Sequence, residues 1–90
     1  MFLHNNYTQK LSLDDIAKSV YMDKYTLSKE FKKFTGQTIV TYLNTYRCKK
    51  ASRLISEGLN VKNAALKCGF SNMSYFTKTF YNYIGVLPSL

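Results

Sequence analysis

An all-α fold, two helix-turn-helix units joined by one long helix, is predicted by three features of this 90-residue chain. One passage is written twice. Each copy holds two runs of helical periodicity with a short break between them. The stretch between the copies runs from Thr38 to Glu57 without a proline or glycine. The expected division is residues 1–37 for the first helix-turn-helix subdomain, 38–58 for the linker helix and 59–90 for the second, together one domain.

The elements follow in order. Residues 2–7, FLHNNY, read as the end of a first helix that packs Leu3 and Tyr7, with His4 solvated. Leu13, Ile16, Ala17 and Val20 then fall at i, i+3, i+4 and i+7, one face of a short helix. Ser12 and Asp15 have the spacing of a capping box at its start. After a break, Asp23 caps a second helix whose core positions are Leu27, Phe31 and Phe34, closed by Gly36. The second copy repeats this 48 residues on with Val61, Ala64, Ala65 and Cys68, capped by Asn60. Gly69 suits the left-handed turn, and Phe70 folds back onto the core. Ser71 or Asn72 caps the last helix, whose core positions are Phe76, Phe80 and Tyr83, with Gly85 and then Pro88 ending it. In the linker helix, Ile39, Leu43, Tyr46, Ala51 and Leu54 form the apolar stripe, while Arg47, Lys49, Lys50 and Arg53 lie mostly elsewhere. Thr38 starts this helix and Gly58 stops it.

Composition narrows the function. Thirteen Lys and Arg against five Asp and Glu give a net charge of +8, spread along the chain. That favours anionic partners, nucleic acid first. No apolar run approaches a membrane span, so the chain is expected to be cytoplasmic with no membrane partner. Cys48 and Cys68 have neither metal-ligand nor disulfide-framework spacing, so no metal and no cofactor is expected. No paired-carboxylate cleft, phosphate-cradling loop or nucleophile elbow is present, so the chain does not read as an enzyme. Arg47 beside Cys48 is an arrangement that lowers a thiol pKa, yet no base accompanies it.

Helical wheels separate what the second helix of each unit buries from what it presents. At 100° per residue the core of the last helix centres on Phe76 and Phe80, which leaves Ser74, Lys78 and Tyr81 outward. The same exercise about Leu27 leaves Tyr25, Lys29 and Lys32 outward. A lysine therefore stands opposite the core in both copies, amid different neighbours. In a helix-turn-helix the second helix enters the major groove. A linker of roughly 28 Å can hold two such helices near the 34 Å repeat of the groove. The alternative from another class is a helical protein-interaction module whose lysines meet an acidic partner.

These residues resemble the DNA-binding domain of the AraC/XylS family of bacterial transcription regulators. LSLDDIAKSVYMDKYTLSKEFKKFTGQT is similar to the first module and YLNTYRCKKASRLI to the linker helix. AALKCGFSNMSYFTKTFYNYIGVLP is similar to the most diagnostic signature of the family. The resemblance implies a seven-helix domain on one asymmetric duplex site, with double-stranded DNA and RNA polymerase as partners. It also implies an effector-binding or dimerising domain on the amino-terminal side of the full-length protein. It carries base contacts onto Tyr25, Thr26, Ser28, Lys29, Met73, Ser74, Tyr75, Thr77 and Lys78; Lys24, Lys32, Lys33 and Tyr81 are the candidates for phosphate contact. Positions 29 and 78 often hold Arg in the family. Lys lacks the planar fork for guanine, and Tyr81 stands where a basic residue is common, so the second module should grip more weakly.

Overall fold

The computed structural model describes residues 2–9 and 11–88; Met1, Lys10, Ser89 and Leu90 fall outside it. Six helices and no strand are present among the described residues: α1 (Phe2–Asn6), α2 (Leu13–Ser19), α3 (Lys24–Thr35), α4 (Ile39–Ser56), α5 (Val61–Lys67) and α6 (Met73–Ile84). None is long and apolar enough to cross a membrane.

The helix starts follow from short polar side chains taking up orphan amides. Ser12 and Asp15 form a reciprocal capping box on α2, and Asp23, Thr38, Asn60 and Asn72 each accept from the amide three residues on. Gly36 and Gly85 end α3 and α6 in the left-handed conformation. The turn within each unit closes alike: the Met22 amide donates to the Ala17 carbonyl at 3.0 Å, and the Phe70 amide to the Ala65 carbonyl at 2.9 Å. Both turns need a positive φ at the preceding residue, met by Gly69 at 96° and by Tyr21 at 58°. Tyr21 thus holds a conformation that disfavours a Cβ.

The caps differ in one way that can be measured. Backbone and side-chain hydrogen bonds from Ser12 hold Asp15 below the ordinary carboxylate range, and those from Thr26 do the same for Asp23. Asn60 and Asn72, the caps of the second copy, do not titrate. Stability linked to a depressed carboxylate pKa is complete above about pH 4 and is lost as pH falls through the lower folded value. The Ser12 and Thr26 amides, bonded to Asp15 and Asp23, should therefore lose protection below pH 4 before the Asn63 and Tyr75 amides do. Amide hydrogen exchange followed by NMR checks this. Simultaneous loss at all four sites would contradict it.

Two apolar clusters lie along α4. Leu3, Ile16, Ala17, Leu27, Ile39 and Leu43 form the first. Cys48, Ala51, Ala64, Ala65, Cys68, Phe70, Phe76 and Phe80 form the second. α4 contributes Ile39 and Leu43 to one and Cys48 and Ala51 to the other, and packs against α3, α5 and α6. The body is elongated accordingly, 40 × 21 × 21 Å. Pro88 is buried, beside a groove it lines with Ile55 of α4 and Phe80 of α6.

Several expectations are corrected. Phe34 is 80% exposed and Tyr83 40% exposed, although the wheel puts both over the core. Phe34 lies in the last turn of α3, past Phe31, which is half-buried and packs edge-on to Tyr42; in the last turn of α6 the second cluster takes Ile84 rather than Tyr83. Val20 is 45% exposed, whereas its counterpart Cys68 is fully buried. Phe70 shares the second cluster with Cys68, but the equivalent Met22 is itself 42% exposed.

His4 is not free in solvent. It stacks on Tyr46 with ring centroids 4.3 Å apart and shares a 2.7 Å hydrogen bond with the Tyr42 hydroxyl, because α1 lies across the start of α4. Arg47, off the apolar stripe of α4, is nevertheless half-buried. Cys48 is not activated by it: burial pushes its thiol up to about 12, and burial raises Cys68 as well.

Candidate nucleic-acid interface

The surface to be weighed is the side of α3 and α6 turned away from the two clusters. On α3, Tyr25 is 77% exposed, and Lys24, Lys29, Lys32 and Lys33 are all exposed. The Lys24 ammonium lies 5.5 Å from the Tyr25 ring, a cation–π distance that brings the two side chains to one spot. Thr26 is turned to its own cap, its Oγ1 donating to Asp23 at 2.8 Å. Ser28 is half-buried, and its Oγ donates to the Lys24 carbonyl at 2.8 Å. These two hydroxyls keep lone pairs to offer, but their protons are spent within the helix.

On α6 one shallow groove gathers Met73, Ser74, Thr77, Lys78 and Tyr81 along a single face. Ser74, Lys78 and Tyr81 are exposed; Met73 and Thr77 are half-buried, and Thr77 Oγ1 donates to the Met73 carbonyl at 2.9 Å. Asn82 and Leu87 also line this groove. Asn82 stands on a shoulder of the same wheel, whereas nothing in the local pattern points to Leu87. Tyr75 stands apart from the groove. Its hydroxyl accepts a 2.8 Å hydrogen bond from Asn44 Nδ2, and its ring leans on Phe70. Asn44 is buried at the middle of α4, so this bond ties the first turn of α6 to the linker.

Neither α3 nor α6 has an acidic residue in its first turn, and Lys24 opens α3. The second start is the freer of the two, because its cap is neutral Asn72 where α3 has Asp23.

Residues 16–90 match the family model described as a helix-turn-helix domain, of the AraC type. The chain belongs to the AraC family. It is a helix-turn-helix DNA-binding domain of the kind found in that family's transcription regulators. AarP of Providencia stuartii, an HTH-type transcriptional activator, is 36% identical over 91 residues, covering 100% of this chain and 67% of AarP. The Msm operon regulatory protein of Streptococcus mutans is 33% identical, with 97% of this chain matched but only 32% of that regulator. The AraC-type domain thus spans two thirds of the first relative and about a third of the second. In structure it resembles the DNA-binding domain of AdpA, solved in complex with a target DNA. That likeness has a TM-score of 0.90 at 24% identity, over 97% of this chain and 79% of that one, and it bears on the fold alone.

Proposed function

We propose that this AraC-type domain reads one asymmetric stretch of duplex DNA with two recognition helices, α3 and α6, set in adjacent segments of the major groove. The observation that carries the reading is the duplicated unit, with exposed Lys29 and Lys78 at matching positions of the helices that precede and follow α4 in the chain. α4 has 18 residues, about 27 Å at 1.5 Å per residue, and the molecule is 40 Å long, so the spacing of about 34 Å between successive groove entries is within its reach.

In this reading Tyr25, Lys29, Ser74 and Lys78 meet base edges, and Met73 offers its thioether end to a thymine methyl. Thr26, Ser28 and Thr77 act as acceptors only. Tyr75, whose oxygen is held by Asn44, keeps its proton to donate. Lys24, Lys32 and Lys33 take phosphates beside α3, and Tyr81 takes one beside α6. The second helix therefore contributes the smaller electrostatic share. Because the relatives extend beyond the matched region, an effector-binding or dimerising region belongs to the same reading of the full-length regulator.

Titration with duplex DNA at several salt concentrations tests the proposal. The logarithm of the affinity should fall linearly with that of salt, by about 0.9 for each phosphate neutralised. Lys32→Ala or Lys33→Ala should make the slope shallower by about 1 on any sequence. Lys29→Ala or Lys78→Ala should cost about 1–3 kcal/mol on a selected sequence and relax the preference at nearby base pairs. Absence of duplex binding at low salt would instead favour a module that meets an acidic protein.

A further inference from the structure

The two clusters have no buried residue in common, and units joined in this way move relative to each other unless something holds them. Arg47 is placed to hold them. It projects from the middle of α4, its Nε donating to the Tyr7 carbonyl at 2.7 Å and its Nη2 to the Gln9 carbonyl at 2.7 Å. Both carbonyls lie in the segment just past the end of α1. A planar guanidinium can take both at once, and an ammonium cannot reproduce that fork.

The opposite side of the same group faces the second unit. Its Cζ lies 5.9 Å from the centre of the Phe70 ring. A Cβ on Gly69 would come within 3.0 Å of Arg47 Nε and 2.6 Å of the Tyr7 carbonyl, so the segment after α1 is pressed directly onto the turn between α5 and α6. Phe70 in turn packs on Phe76 of α6 at 4.9 Å, and the Tyr7 ring is packed against both clusters.

We propose that Arg47 is a positioning residue that locks the second helix-turn-helix unit to α1. By fixing the separation of α3 and α6, it would make the domain read the spacing between the two halves of its site as well as their sequences. The proposal rests on the two-helix reading above. A domain held rigid loses contacts in one half when the halves are moved apart, whereas a domain free to flex about α4 recovers them.

The test uses a duplex selected by the wild-type chain and the same duplex with two base pairs inserted between its halves, a rotation of about 70° at 10–10.5 base pairs per turn. Arg47→Met is compared with wild type, and Arg47→Lys replaces it if the Met variant loses its helical circular dichroism. Insertion should weaken wild-type binding on the order of 100-fold and the variant about 10-fold or less. In the absence of DNA, spin labels at Lys33→Cys and Asn82→Cys should give a broader distance distribution in the variant. A variant as intolerant of the insertion as wild type, or an unchanged distance distribution, overturns the role of Arg47 and leaves the two-helix reading standing. Indifference of the wild-type chain to the insertion overturns both.

Discussion

Phe76→Ala should remove about 3–5 kcal/mol of stability, the largest loss expected from a single truncation in this chain. The ring is fully buried, at the centre of the second cluster, 4.9 Å from Phe70 and 5.5 Å from Phe80 by ring centroid. Its neighbours come from α4, α5, the turn before α6 and α6 itself, so no single segment can shift to fill the cavity. On a domain of this size such a loss is a large share of the whole, because small domains bury little surface and are only marginally stable. Denaturant unfolding of the variant should show a lower midpoint with an unchanged slope. A loss below about 1 kcal/mol would mean that the second cluster is loosely packed.

The second large effect is at a residue with no side chain. Gly69→Ala meets two obstacles together: φ is +96°, and the new methyl would stand 2.6 Å from the Tyr7 carbonyl oxygen. Backbone strain of this kind costs on the order of 1–3 kcal/mol. The contact adds to it, because the obstructing atom is main chain held by Arg47. Gly58 separates the two contributions. Its φ of +104° imposes the same sort of strain, but nothing lies within 4 Å of a methyl placed there. Gly69→Ala should therefore be the more destabilising of the two by about 1 kcal/mol or more, as measured by thermal or denaturant unfolding. Equal losses would mean that the segment after α1 does not press on this turn in solution.

Much of the fold could be read locally. A cap is a matter of three or four consecutive residues, and Ser12, Asp23, Thr38 and Asn60 act where their spacing predicts; Asn72 rather than Ser71 caps α6. The repeat was equally plain, because both copies need the same apolar positions and the same turn. Periodicity tells which way a side chain points, but not whether a neighbour waits there, and so pattern alone assigns Phe34, Tyr83 and Val20 to a core that leaves them exposed.

The contacts that bind distant segments lie beyond local pattern. Arg47 reaches carbonyls 38 and 40 residues away, Asn44 reaches Tyr75 across 31, and His4 meets Tyr42 across 38. A charged or polar residue on a helix looks the same in sequence whether it is solvated or paired at such range. The outward set was the easier part, since Lys29, Ser74, Lys78 and Tyr81 lie opposite the core by geometry alone. Which hydroxyls are engaged within their own helix, as with Ser28 and Thr77, depends on rotamers that no spacing specifies.

Selection of bound fragments from a pool of random duplexes tests the central claim most directly. With α3 and α6 held at a set separation, the recovered motif should have two dissimilar halves, centred about ten base pairs apart at one fixed spacing. A motif with a single half, or two halves at variable distances, would contradict it.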